Sequence, residues 1–231
     1  MANAMTAIAI FVKTPGLSPV KTRLAATLGK DAAESFHLQA ANTVAATLSQ
    51  LSPAAQGYFA VAETEALNHP HWQALPCIAQ GDGGLGERLA RVYQFLQQRH
   101  GAVMLIGADS PQMTLAVLSE GIAWLGGGSQ PRLVYGPCTD GGFWLIGGNC
   151  AIDERIWTDV SYSRADTGSQ LLKHIKHLGE IKHLPTLGDV DEAADLGDLQ
   201  QALQQLPTPL PEQRQLLDFL ASFSFPSPQS W

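Results

Sequence analysis

Residues 7–25 read AIAIFVKTPGLSPVKTRLA. The apolar run AIAIFV stops at Lys13, and a loop with two prolines and a glycine leads to a helix predicted from near Val20. A stretch apolar at every position, not at every second one, is expected of a strand buried on both faces by covering helices. Similar runs recur at YFAVA (58–62), CIAQ (77–80), AVMLIGA (102–108) and RLVYG (132–136). Between them lie segments with helical character. Asp31–Leu51 is rich in Ala, Leu and Gln, and Leu85, Leu89, Val92, Phe95 and Leu96 form one apolar stripe. Leu115–Leu125 forms another, closed by Gly126-Gly127-Gly128. This alternation predicts an α/β fold, with helices on both faces of a mainly parallel sheet.

Beyond residue 130 the pattern changes. RLVYGPCTDGGFWLIGG (132–148) holds two strand-like runs around a Pro/Asp/Gly-rich connection, which predicts an antiparallel or mixed extension of the sheet. A helix over 166–178, a short strand over 181–184 and two terminal helices, 192–206 and 211–223, are expected next. The last residues, SFSFPSPQSW, are proline-broken and expected to be loosely attached. No linker divides the chain. Residues 1–206 are expected to form the α/β domain, with 207–231 a C-terminal helix and tail of the same domain.

Composition narrows the class. The chain has 231 residues, 45% of them hydrophobic, enough for a core without staples. A net charge of −7 and a pI near 5.4 argue against a nucleic-acid-binding face. Cys77, Cys138 and Cys150 form no CxxC pair, which fits reduced thiols in the cytoplasm. No apolar run approaches the roughly 18 residues of a membrane span. The start, MANAMTAIAIFVK, lacks the basic region of a signal peptide, so the expected location is cytoplasmic.

Against that acidic background, Lys13, Lys21 and Arg23 gather where the first strand ends. Open α/β sheets bind ligands at the carboxyl ends of their strands. A loop with free N–H groups, a helix start and three cations suit a polyphosphate. Solvated surface cations explain the spacing equally well, and the loop is not a Walker A motif. The strand AVMLIGA also ends in a charged residue, Asp109, followed by Ser110-Pro111. A carboxylate facing a cationic loop can hold Mg²⁺ on nucleotide phosphates, whereas a helix cap is the plainer reading. Asp140-Gly141-Gly142 is either a close backbone approach to a ligand or a tight hairpin turn. Asp189 and Asp191 precede a helix, and capping needs only one of them. His174, His177 and His183 sit among lysines and are expected to be solvated. His69-Pro70-His71-Trp72 is expected in a surface loop, and 161–167 reads as helix capping. There is no GxSxG elbow.

Five patterns occur in order. They are K-x-P-x(4)-V-K-T-R-L, Q-G-D-x-x-L-G-E-R, L-I-G-A-D-S-P-x-x-T, G-P-x-x-D-G-G-F-W-L-I-G and D-V-D-x-x-x-D-L. Together they resemble a family of small bacterial glycosyltransferase-like proteins in the GT-A-fold nucleotide-diphospho-sugar transferase superfamily. The resemblance runs from about Ile8 to Leu199 and implies a Rossmann-like α/β/α sandwich with a C-terminal helical extension. It also implies roles. Lys13, Pro15, Gly16, Lys21, Thr22 and Arg23 would embrace the donor's phosphates. Gln80, Gly81, Asp82 and Arg88 would lie near its base or sugar. Asp109 and Asp191, with Asp189 beside them, would hold Mg²⁺ or Mn²⁺. Asp140, Gly141, Gly142, Arg164 and Asp166 would face the acceptor.

Two reactions are open. Glycosyltransferases of this fold usually carry D-x-D, and here Asp109-Ser110-Pro111 has no second acid. Nucleotidyltransferases more often use one Asp in such a turn and a basic first loop to neutralise a triphosphate. The chain is also distantly similar to guanylyltransferases acting on phosphorylated small acids. Its first loop, however, lacks the intact G-x-G-T-R pattern of sugar nucleotidyltransferases. Nucleotidyl transfer from a nucleoside triphosphate to a small acceptor is therefore the first expectation, with Lys13, Lys21, Arg23 and Asp109 as catalytic groups. Glycosyl transfer from a nucleotide-sugar is the alternative, and a non-catalytic nucleotide-binding module the third reading.

Overall fold

Strand β1 (Thr6–Val12) runs through the middle of the protein in a computed structural model that describes residues 5–223. Ile8, Ile10 and Val12 point to one face of the sheet, and Ala7 and Ala9 to the other; all are buried. The unbroken apolar run thus has its expected cause. In chain order the remaining elements are α1 (Thr22–Leu28), α2 (Lys30–Ser49), β2 (Ala55–Val61), β3 (Cys77–Ala79), α3 (Leu85–Gln97) and β4 (Ala102–Gly107). Then come α4 (Leu115–Gly126), β5 (Arg132–Pro137), β6 (Phe143–Gly148), α5 (Glu154–Thr158), α6 (Thr167–Ile175), β7 (Glu180–His183), α7 (Asp195–Gln204) and α8 (Pro211–Ala221).

The seven strands form one sheet in the order β3-β2-β1-β4-β6-β5-β7. Only β6 runs against its neighbours, pairing antiparallel with both β4 and β5. β2 and β4 flank β1 in parallel, with Ile8 opposite Gly57 and Met104. One face is covered by α2 and α4, the other by α3, α5 and α6. Helix α2 is buried twice over. Val44, Ala45 and Leu48 meet the sheet, while Ala33, Phe36 and Ala40 meet Leu216 and Leu220 of α8 and Leu199 and Leu203 of α7. Gln213 of α8 is buried and donates to the carbonyls of Pro111 and Met113, so the C-terminal helix braces the turn after β4.

Several boundaries differ from expectation. β2 begins at Ala55, because polar Gln56 and small Gly57 sit half-buried and buried inside it without interrupting the apolar face. α7 starts at Asp195 and not at 192, since the Asp195 carboxylate turns back to accept the N–H groups of Asp191 and Glu192. The short α5, capped by Asp153, was not expected. His69–Trp72 is no simple surface loop. Pro70–Trp72 is a 3-10 turn that drives Trp72 into the core against Phe59, where its indole N–H donates to Thr14 Oγ1 at 2.9 Å. Most of the expected loose tail lies outside the described residues. Among the described residues, no helix is long and apolar enough to cross a membrane.

Candidate active site

The carboxyl ends of β1, β4 and β5, with the start of β6, open onto one cleft. β4 delivers Asp109 two residues past its end. The helix cap that Asp109 could have been is Thr114, whose hydroxyl accepts the Val117 N–H. Asp109 is therefore free to face the cleft. The turn that carries it is tied to the 187–191 segment. Ser110 Oγ and Gln112 Nε2 both donate to the Gly188 carbonyl, at 3.1 and 2.7 Å. That pairing brings Asp189 and Asp191 beside Asp109, and the Asp195 carboxylate pins the backbone there by accepting the N–H groups of Asp191 and Glu192.

Lys21 enters from the opposite side. Its ammonium lies 2.9 Å from Asp109 Oδ1 and 3.6 Å from Asp191 Oδ1, and it also donates to the Val190 carbonyl. The side chain is only 6% exposed. Arg23, 73% exposed, reaches Asp191 Oδ2 at 3.6 Å. Lys13 is exposed at the end of β1, and its carbonyl accepts Nε2–H from buried His37 at 2.9 Å. Burial holds His37 below the usual histidine range, against the pull of Asp109, so the ring is neutral with Nδ1 carrying the lone pair.

Two cavities, of about 450 and 530 Å³, share Phe11, Arg23, Leu85, Asp109, Ser163 and Asp191. The smaller is polar and adds Lys13, Thr22, His37 and Gln80. The larger adds Phe143, Tyr162, Arg164, Asp140 and Asp189. Asp109 and Asp191 thus form a waist between two lobes. Half-buried Asp189 shows what this crowding costs. Burial first, then repulsion from Asp140, Asp191 and Asp109, pushes its carboxyl up to about 6. The oxygens of Asp140 and Asp189 and the Cys138 sulfur all lie within 4.8 Å of one another. Burial holds the Cys138 thiol far above its usual range, so it stays protonated and the donors are oxygens. A carboxylate set with excess negative charge and oxygen donors fits Mg²⁺ or Mn²⁺ better than a thiophilic metal.

A pH effect follows. The folded protein keeps a proton on Asp189 up to about pH 6, whereas an ordinary aspartate releases it near 3.8. Between those values the folded state binds more protons than the unfolded one, so this group's contribution to stability falls as pH rises through that window. Asp189→Asn is expected to raise the metal-free melting temperature at pH 7.5 by a few degrees and to leave it nearly unchanged at pH 4. Thermal melts at the two pH values check this.

A family model described as an uncharacterized protein conserved in bacteria, DUF2064, matches residues 28–164, more than half of the chain. The chain belongs to the DUF2064 family. The matched stretch includes Asp109 and Asp140 but neither Lys21 nor Asp191. No curated protein matches the chain. Among solved structures it is similar to a candidate nucleotide-diphospho-sugar transferase from Desulfovibrio desulfuricans G20, at 21% identity and a TM-score of 0.79, covering 96% of this chain and 98% of that one. It is also similar to 4-diphosphocytidyl-2C-methyl-D-erythritol synthase from Anaerococcus prevotii (11% identity, TM-score 0.54, 88% and 97% covered). A third is glucosyl-3-phosphoglycerate synthase from Mycobacterium tuberculosis, solved with Mn²⁺, UDP and glucosyl-3-phosphoglycerate (11% identity, TM-score 0.52, 96% and 80% covered). At these identities the likeness establishes the fold, which is the GT-A-like α/β/α sandwich.

Not every expected residue of this family member reaches the cleft. Lys13, Lys21, Thr22, Arg23 and Gln80 do, but Pro15 and Gly16 do not line either cavity. Thr14 donates its N–H to Glu63 and accepts from Trp72, which folds residues 14–18 away from the cleft. Gln80 is buried, and its side chain staples the carbonyls of Val12 and Ala60. Gly81, Asp82 and Arg88 also miss the lining. Arg91 donates to the Gln80 and Asp82 carbonyls, and Arg88 Nε to that of Gly83, so this stretch wraps around its own arginines.

On the other side, Asp140, Gly142 and Arg164 line the larger cavity, whereas Gly141 and Asp166 do not. Asp166 is occupied by Arg164 and Gln170. Gly141 packs against the backbone of Ala165. The residues missed were Phe11, His37, Leu85, Tyr162 and Ser163. Phe11, Leu85, Tyr162 and Ser163 lie in stretches read for other reasons, as strand, helix stripe and helix cap, and nothing in the sequence sets His37 apart from the helix around it.

Proposed function

We propose that the chain is a divalent-metal-dependent transferase using a nucleotide donor, and that it moves a nucleotidyl group from a nucleoside triphosphate to a small anionic acceptor. The observation that carries this reading is the two-lobed cleft with Asp109 and Asp191 at its waist and Asp189 in the larger lobe beside them. The polar lobe suits the donor, with Lys13 and Arg23 positioned to offset phosphate charge. The larger lobe suits the acceptor. There Arg164 supplies a cation, and Phe143 and Tyr162 supply apolar walls that exclude water from the reacting atoms. Mg²⁺ or Mn²⁺ on Asp109 and Asp191 would neutralise charge developing on the phosphates. A phosphate acceptor needs no general base.

One observation favours glycosyl transfer as a second reading. Lys21 is committed to Asp109 and Asp191, so two open cations remain in the polar lobe where three were expected. Two suit a nucleoside diphosphate leaving group as well as a triphosphate. The products distinguish the readings. With Mg²⁺, the four nucleoside triphosphates and a panel of phosphorylated small acids, pyrophosphate release is expected. Release of a nucleoside diphosphate from a nucleotide-sugar, with none of pyrophosphate, would establish glycosyl transfer instead. Nucleotide binding indifferent to Mg²⁺ and without product would mark a module that does not turn over.

A further inference from the structure

Among the described residues, Lys21 and Ser163 are the non-glycine positions with positive φ, at 46° and 58°, and both line the cleft. A left-handed backbone is unfavourable for an L-residue and persists where other contacts compensate. At Lys21 the compensation is visible. The backbone turns at the start of α1 so that the side chain enters the waist, and its ammonium, which has three protons to donate, meets three acceptors: Asp109, Asp191 and the Val190 carbonyl. Arg23, two residues on, keeps its side chain largely in solvent. Lys21 therefore sits between the two carboxylates that line both lobes.

We infer that the Lys21 ammonium and a divalent cation compete for Asp109 and Asp191. Lys21 is then a tethered counter-ion that fills the metal position in the empty protein and yields it when donor phosphate offers the ammonium another anion. The inference rests on the metal-dependent reading above. A monovalent ammonium and a divalent ion cannot share one carboxylate pair without strong repulsion, so each must weaken the other's hold. The consequence is order. Metal alone binds poorly, and metal with donor binds well, which guards the acidic waist against idle occupation.

The test is a calorimetric titration of the full chain with MnCl₂ in nucleotide-free buffer, comparing wild type with Lys21→Met. The variant is expected to bind Mn²⁺ at least ~10-fold more tightly and to melt at a lower temperature when metal-free, with Mn²⁺ restoring the loss. Lys21→Gln, which can still donate to the Val190 carbonyl, covers the case in which the methionine variant does not fold. Arg23→Ala should change Mn²⁺ affinity far less. Unchanged or weaker Mn²⁺ binding by the Lys21 variants, with uptake by wild type intact, overturns the competition and leaves the metal site standing. Failure of the variants to bind Mn²⁺ in nucleotide-free buffer overturns the competition, and failure of wild type and variants alike to bind Mn²⁺ in the presence of the four nucleoside triphosphates and of a nucleotide-sugar overturns the metal-dependent reading itself.

Discussion

Asp109→Ala is expected to reduce transfer by about 10³-fold or more while shifting the melting temperature by only a degree or two. A metal ion on a phosphoryl group is worth several kcal/mol of transition-state stabilisation, and ~4 kcal/mol is already a factor of about 10³ in rate. Asp109 lines both lobes and follows the end of a central strand, a position that no neighbouring carboxylate shares. The small stability effect has a separate cause. The Asp109 side chain is 39% exposed, and Lys21 keeps Asp191 and the Val190 carbonyl after the substitution. Partly exposed ion pairs of this kind contribute about 0–1 kcal/mol. A variant with near-normal turnover in steady-state assays would remove Asp109 from the machinery. A variant that unfolds would show the turn after β4 to depend on the ion pair rather than on Ser110, Gln112 and Gln213.

The sheet was legible because burial on both faces leaves unbroken apolar runs, and β1 and β4 are the clearest cases. What escaped notice lacked that signature. α5 is too short to show a period, and Trp72 lies in a polar-looking HPHW stretch that only its partner Thr14 explains. The acids of the site were legible as residue types at strand and helix ends. Their division of labour was not. Asp195 as the acceptor that pins the Asp191 backbone is a local contact without a sequence signature, and Gly188 as the carbonyl joining two turns depends on contacts far apart in the chain. Lys21 is the sharpest instance. In sequence it is one of three similar cations, and only the approach of Asp109 and Val190 separates it from Lys13 and Arg23. The glycines after Asp140 were equally ambiguous, since a turn and a ligand approach demand the same residue.

Gly141→Ala settles what that glycine does, and its expected effect on stability is the largest of any substitution considered for the cleft. Gly141 has φ +87°, and a Cβ there would lie 1.9 Å from the Ala165 carbonyl oxygen and 2.7 Å from its carbon. Both atoms are backbone, so no side-chain rotation relieves the collision. The same contact is locked from behind, because Gly168 donates its N–H to the Gly141 carbonyl at 2.9 Å and Tyr135 donates to that of Gly142 at 3.1 Å. Left-handed strain of about 1–2 kcal/mol and overpacking of about 1–3 kcal/mol add to roughly 2–5 kcal/mol. For a chain of this length that is a melting-temperature loss of roughly 5–15 °C. Two controls separate the contributions. Gly16→Ala, at φ +85° with open space around it, should show the strain alone. Gly142→Ala meets only the Asp140 side chain, at 3.0 Å, and should be milder still. The functional consequence falls on one lobe. The 161–167 loop that Gly141 holds in place carries Tyr162, Ser163 and Arg164, so in a folded Gly141→Ala protein the KM for acceptor should rise more than that for donor. Equal stability of the Gly141 and Gly16 variants would mean that the hairpin tip and the loop are not packed as tightly as the backbone contact requires, and the larger lobe would then lack its fixed wall.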